Sequence, residues 1–312
     1  MTEATGDSFV ETREYRRFRE FCEACRRYRY IGLCYGPPGV GKTLSARHYA
    51  DWDRVESADP YAGRGTYRSD EVPGHGCVVY TAAVVNSPRR IEDEIVQLRR
   101  KLRELILQAV RGEAEPAIAA ARQALTHERS QPFVSDDWLG GKPERLQRAE
   151  AAASEAVDAL TARSRAVADP TALLLVDEVD RLKMAGLEQL RAVFDRGGIG
   201  LVLVGMPGLE RRLSRYAQLS SRIGFVHEFR PLGTAEVRTL LSGWRPPGVA
   251  LPADLLADAE GVAALIRITG GNFRLLDRLL TQVGRILELN GLGTMTRAVV
   301  EAAREVLVIG AA

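Results

Sequence analysis

An apolar run, Tyr30-Ile-Gly-Leu-Cys-Tyr35, passes directly into Gly36-Pro-Pro-Gly-Val-Gly-Lys42-Thr43, and a helical pattern resumes from Leu44 to Trp52. No other stretch narrows the possible folds as much. The spacing G-x-x-x-x-G-K-[ST] works chemically because glycines let successive backbone N–H groups point inward around phosphate oxygens, while the following helix offers its positive N-terminus. Gly36, Pro37, Pro38, Gly39, Val40, Gly41, Lys42, Thr43 and Leu44 are therefore the expected nucleotide-binding residues. Lys42 is expected to reach the β and γ phosphates and Thr43 to ligate Mg²⁺, with ATP as the cofactor. A chance Gly/Pro turn would show the same letters, but it would not need a strand before it and a helix after it.

A second element answers the first. Thr171 to Val176 reads as a buried strand, and the run Leu173-Leu-Leu-Val-Asp177-Glu178 sets two carboxylates at its end. Ligands bind at the C-terminal edge of a parallel sheet, so both acids are expected to face the loop. Asp177 is assigned to the metal, and Glu178 to polarising the attacking water. Asp180 reads as the N-cap of the helix that follows, the alternative being a catalytic role.

Further strands are expected at Cys77 to Val85, Gly200 to Val204 and Ile223 to Phe229, with an amphipathic helix at Leu182 to Phe194 ending at Gly197-Gly198. A leading amphipathic helix occupies residues 8–29, and residues 53–75 read as a loop or ragged hairpin. From Arg89 the periodicity changes: Ile91, Ile95, Leu98, Leu102, Leu105 and Ile106 form one long apolar stripe, and Ala-rich helical sequence follows at 114–126 and 144–167, around a turn-rich interval at 130–143. Residues 89–168 thus read as a helical insertion, a hairpin being one arrangement. The expected class is α/β, a parallel sheet flanked by helices over residues 1–232, with a small all-helical unit over 233–312.

Composition excludes more than it assigns. With 43 basic against 41 acidic residues the net charge is +2, so a nucleic-acid partner needs a local patch or several subunits. The N-terminal residues lack a secretory pattern and no apolar run reaches the ~20 residues that span a bilayer, so a cytoplasmic, membrane-free protein is expected. Four cysteines are too few for a disulfide scaffold, and Cys22-x-x-Cys25 with His75 and Cys77 lacks the paired spacing of a zinc site.

On these residues the chain resembles the AAA+ superfamily of P-loop ATPases outside 89–168. Leu201-Val-Leu-Val-Gly205-Met-Pro-Gly-Leu209 occupies the strand that ends at the sensor-1 position in that superfamily, with Met206 where a polar residue is usual. Ser220-Ser-Arg222-Ile-Gly-Phe225 sits where the family places a trans-acting arginine finger, and Thr269-Gly-Gly-Asn-Phe-Arg274-Leu-Leu resembles the sensor-2 helix of the lid. The resemblance implies that Arg222 supplies charge to a neighbour's γ-phosphate and that Arg274 links nucleotide state to lobe angle. Arg222 can also be read as one more surface arginine beside Arg211, Arg212 and Arg215.

Within the superfamily, Val204 to Leu213, Ser221 to Phe225 and the leader Glu11-Thr-Arg-Glu-Tyr-Arg-Arg-Phe18 look similar to the transposition regulators of the TniB, TnsC and MuB type. That resemblance implies an ATP-dependent homo-oligomer, ring or helical filament, on double-stranded DNA, working with a transposase and a target-selection protein. Arg89, Arg90, Arg99, Arg100, Lys101 and Arg103 form a basic cluster that could meet DNA phosphates. The same side chains can instead pair with Glu92, Asp93, Glu94 and Glu104 on a solvated helix. Secretion ATPases of the ExeA type share the core motifs, so the alternative is a secretion- or signalling-associated ATPase with a protein partner docked through the insertion.

Overall fold

The computed structural model describes residues 9–61, 67–132, 143–246 and 249–307. Expectations for the first seven residues, for Gly63 and Gly65, for most of the interval 130–143 and for Pro247-Gly248 fall outside these. Five strands, β1 (Ile31–Tyr35), β2 (Cys77–Thr81), β3 (Leu173–Asp177), β4 (Gly200–Gly205) and β5 (Ile223–Glu228), form one sheet in the order β2-β3-β4-β1-β5. All four pairings are parallel. The uninterrupted apolar runs explain this. A parallel strand covered on both faces buries every side chain, as β3 and β4 do, whereas the edge strand β5 alternates.

Helices cover the faces. In α1 (Arg13–Tyr28) the Thr12 hydroxyl caps the first turn by accepting from Tyr15 N at 3.1 Å, and Tyr15, Phe18, Phe21, Cys22 and Cys25 turn inward. The loop Gly36 to Gly41 leads into α2 (Lys42–Tyr49). The helix expected to run to Trp52 stops at Ala50-Asp51, where Asp51 adopts a left-handed backbone, and α3 (Trp52–Ser57) follows, so part of the 53–75 loop is helical. Strand β2 ends four residues earlier than its apolar letters suggest. The chain turns away after Thr81, leaving Val84 and Val85 exposed, because the Asn86 side chain ties the turn by donating to Ala83 O at 2.8 Å and Arg181 O at 3.3 Å.

The insertion is a hairpin of α4 (Pro88–Ser130) and α5 (Glu144–Ala166). α4 runs without interruption through Gly112 and Pro116, residues four apart. Its buried side chains lie between Ile91 and Ala114, and its outer part is exposed apart from its contact with α5. The helices α6 (Met184–Asp195), α7 (Leu209–Ser214) and α8 (Ala217–Ser220) complete this body.

Beyond Phe229 lie α9 (Thr234–Gly243), α10 (Ala259–Thr269), α11 (Phe273–Asn290) and α12 (Arg297–Glu305). They enclose an apolar cluster of their own, from Leu232 to Ala303, separate from the cluster around the sheet. Several helix ends carry a signal: Asp258 and Thr296 cap α10 and α12, and Gly270 and Gly291 close α10 and α11 in the left-handed conformation.

All four cysteines are buried and free, and among the described residues no cluster of His, Cys, Asp and Glu could hold a metal ion. Burial pushes the Cys25 and Cys77 thiols up to about 12, which suits side chains packed as apolar groups. No helix among the described residues is long and apolar enough to cross a membrane.

Candidate functional site

Parallel pairing brings the C-terminal ends of β1, β3 and β4 to one edge. There Gly36 N donates to Gly205 O at 3.3 Å and Ala82 N to Asp177 O at 3.0 Å. The two motifs meet at a single contact: the Thr43 hydroxyl donates to Asp177 Oδ2 at 2.6 Å. The other oxygen of Asp177 accepts from Glu178 N at 2.8 Å, so this nearly buried carboxylate is held on both sides. A cavity of about 370 Å³ opens over the contact, lined by Pro38, Gly39, Gly41, Lys42, Thr43, Leu44, Asp177, Glu178 and Arg274 among others. Gly36 and Pro37 form the base of the loop through their carbonyls, and Val40 turns into the core.

Lys42 is 9% exposed, and its ammonium donates to Gly36 O at 2.6 Å and Pro37 O at 2.8 Å. Burial holds its pKa below the usual lysine value, while Cys34, Asp177, Asp180 and Glu178 pull the other way. The lysine sits at the loop's base, its ammonium held by the two carbonyls. Glu178 adopts a left-handed backbone, φ 56°, which costs a non-glycine residue on the order of 1 kcal/mol and aims its side chain off the strand line. Its Oε2 lies 3.8 Å from Arg181, which also donates to Ala82 O at 2.9 Å.

Thr43 and Asp177 present two oxygens side by side, the donor set a Mg²⁺ ion takes alongside phosphate oxygens. The residues fit the expected pair of ATP and Mg²⁺, with Thr43 and Asp177 toward the metal and residues 36–44 toward the nucleotide.

Arg274 lines the same cavity from the first turn of α11. Arg222 does not. Its carbonyl accepts from Ile31 N, at the start of β1, while the loop leaves the end of that strand, roughly 13 Å away at about 3.3 Å per residue. Its guanidinium is bidentate on Asp195, at 2.7 and 3.1 Å. On this geometry Arg222 cannot serve its own subunit's nucleotide.

Asp180 is not a helix cap. It lies in a 3-10 turn, Val179–Arg181, and its Oδ2 accepts from Met206 N at 2.6 Å, while Lys183 stands at the N-cap of α6. A Cβ at Gly205 would come within 2.5 Å of Asp180 Oδ2, so the glycine is what lets the carboxylate tie β4 to β3. This explains how a methionine can follow β4: its backbone N–H, already spoken for, makes the polar contact there. Arg212 secures the same turn from α7, donating to Asp180 O at 3.3 Å and to Leu182 O.

The basic cluster is dispersed. Arg99 pairs with Asp169 at 2.7 Å, Arg103 donates to Val167 O at 3.1 Å, Lys101 to Glu56 O, and Arg90 pairs with Glu94 at 2.8 Å. Arg89 and Arg100 are exposed. Of the four expected pairings within the helix, only that with Glu94 forms among the described residues; Arg99, Lys101 and Arg103 reach chain segments beyond the helix.

Sequence reasoning passed over Asn272, Phe273 and Asp277, which also belong to the cavity region. The signal for Asn272 was present in Gly270-Gly271-Asn272, a helix stop followed by a capping residue.

A family profile described as an AAA domain matches residues 25–213. A Staphylococcus aureus protein called a potential ATP-binding protein is 36% identical over 314 residues, 98% of this chain and 98% of its own length. The Mu-like prophage FluMu DNA transposition protein B of Haemophilus influenzae is 32% identical over 120 residues, covering 36% of this chain and 39% of that protein. Among solved structures, the Thermotoga maritima RuvB Holliday junction branch migration motor aligns with a TM-score of 0.50 at 15% identity, over 97% of this chain and 71% of that one. Cdc6p from Pyrobaculum aerophilum aligns with a TM-score of 0.50 at 14% identity, over 98% and 71%.

Proposed function

The chain belongs to the AAA domain family and is an ATPase; from that premise we propose that it is an oligomerising, DNA-binding regulator of DNA transposition that works with a transposase. The observation that carries the nucleotide chemistry is the 2.6 Å contact of Thr43 with Asp177. Bound Mg²⁺ would neutralise charge developing on the phosphates. Thr43 and Asp177 would hold it, giving up their mutual hydrogen bond. Lys42 would move its ammonium from the Gly36 and Pro37 carbonyls to the β and γ phosphates, a short swing of a charge already buried at the right place. Glu178, freed from Arg181, would orient a water for in-line attack and take its proton. Arg274 would contact the terminal phosphates from the lid. Residues 1–232 act as the nucleotide-binding unit and 233–312 as the lid in this reading.

The transposition reading is supported by the similarity to DNA transposition protein B. The placement of Arg222 at the far end of the sheet supports a trans role, completing a neighbour's site in a ring or filament. Arg89 and Arg100, exposed on α4, are the cluster members best placed for phosphate contacts, with Arg90, Arg99, Lys101 and Arg103 contributing once their present partners release them. ATP hydrolysis measured with and without duplex DNA at several salt concentrations tests this: stimulation that falls steeply with salt is expected. Absence of stimulation by any duplex removes the DNA reading.

A protein partner docked on the helical hairpin, as in a secretion- or signalling-associated ATPase, is the second reading. It is favoured by the internal bonds of Arg99, Lys101 and Arg103, which commit three of the six cluster residues to contacts within the chain.

A further inference from the structure

Four consecutive carbonyls of the phosphate loop are hydrogen bonded, and from two sides. Lys42 takes those of Gly36 and Pro37. The side-chain amide of Asn272 donates to Pro38 O at 2.7 Å, and the backbone N–H of Arg274 donates to Gly39 O at 2.9 Å. The last two donors come from the start of α11, on the helical lobe. Asn272 is held in this orientation by its other end, since its Oδ1 caps α11 by accepting from Leu275 N at 3.2 Å.

The contact is built closely. Gly39 has φ 79°, and a Cβ there would lie 2.6 Å from Asn272 Oδ1. Leu232 N donates to the carbonyl of Gly271, just before Asn272, at 2.9 Å, and a Cβ on Gly271 would strike Leu232 O at 1.9 Å. The turn at 270–272 is thus wedged between the loop and the segment that joins the sheet to the lobe.

A peptide group whose carbonyl accepts a hydrogen bond has a more polarised N–H. Pro38 O shares its peptide with Gly39 N–H, and Gly39 O shares its peptide with Val40 N–H. Those N–H groups belong to the loop that must cradle phosphate. We infer that Asn272 is a positioning residue of the nucleotide site: by holding Pro38 O it fixes and polarises the loop, so that phosphate affinity depends on the helical lobe being docked. The inference rests on the reading that this loop binds the phosphates of ATP. Its mechanical corollary is that a loop reshaped by nucleotide moves α11 directly, through Asn272 and Arg274 N–H, without needing the Arg274 guanidinium.

The test uses the full chain. Asn272→Ser keeps an oxygen able to cap α11 but is too short to reach Pro38 O, and Asn272→Asp caps equally well but presents only acceptors to that carbonyl. The dissociation constant for ATP is expected to rise about tenfold in Asn272→Ser, the scale of one hydrogen bond. KM should rise with it while kcat at saturating ATP stays at the wild-type value, the pattern of lost uniform binding. A purely structural role would instead lower the unliganded melting temperature and leave the dissociation constant of the folded protein unchanged. Amide exchange gives a readout that needs no variant. Arg274 lies in the first turn of α11, where an N–H has no partner inside the helix. Slow exchange of that amide is expected in the unliganded wild type, with loss of protection at Arg274 but not at Leu275 in Asn272→Asp. Free-rate exchange at Arg274 in the wild type, or wild-type ATP affinity in either folded variant, overturns the inference. A wild-type chain that fails to bind ATP would sink the nucleotide reading itself, a distinguishable outcome.

Discussion

The phosphate loop and the helical hairpin are both polar, and they use their polar groups in opposite ways. In the loop, backbone geometry decides: four carbonyls face outward onto Lys42, Asn272 and Arg274 N, and the cavity between Lys42, Thr43 and Asp177 is left for a ligand. In the hairpin, long flexible side chains decide, and most of its basic cluster finds partners within the chain: Asp169, Val167 O, Glu56 O and Glu94. The difference teaches that a glycine-governed arrangement announces its ligand, whereas a run of arginines announces only that something will satisfy them.

Experiments can sharpen that contrast. The largest effect is expected from Lys42→Ala, which abolishes detectable nucleotide binding in a titration with a fluorescent ATP analogue. Retained binding would reduce the loop to the same indifference as the hairpin. Arg222→Ala should leave binding intact but lower turnover of the assembled protein by about 10³, and mixing it with wild type should reveal whether the loss is shared between neighbours. If the variant hydrolyses ATP normally at every protein concentration, the trans role is wrong. Glu178→Gln should bind ATP and cut turnover by about 10²–10³, trapping the assembled state, which sedimentation with ATP would reveal. Arg103→Ala, in the hairpin, should cost about 1 kcal/mol through its lost bond to Val167 O and lower the melting temperature by about 2–4 °C. An unchanged melting temperature together with lost DNA stimulation would mean that Arg103 serves a partner and not the fold. Arg100→Ala should do the least, changing the logarithmic salt slope of any DNA stimulation by about 1 with no change in stability.

How far the sequence could be read follows the same division. All five strands were legible, the inner ones because a parallel strand buried on both faces leaves a continuous apolar run; the largest misjudgement was the end of β2, where Val84 and Val85 are exposed because Asn86 fastens the turn. The meeting of Thr43 with Asp177 was legible because strand polarity alone brings the two motifs to one edge. Asp180 was misread: an acid after a strand is commonly a cap, and only the approach of Gly205, distant in sequence, reveals its bond to Met206 N. Asn272 was missed for a related reason. Its capping role is local and visible, while its bond to Pro38 O spans most of the chain.

The pairing of Gly112 with Pro116 in α4 has a mechanical meaning. Proline has no N–H to offer the carbonyl four residues back, so one rung of the helical ladder is missing there, and a glycine at that rung leaves room for the ring. Buried side chains of α4 end at Ala114, at the same level. The weakest rung of α4 therefore lies where its anchorage to the sheet body stops, so a bend at that level would leave the apolar contacts from Ile91 to Val110 in place.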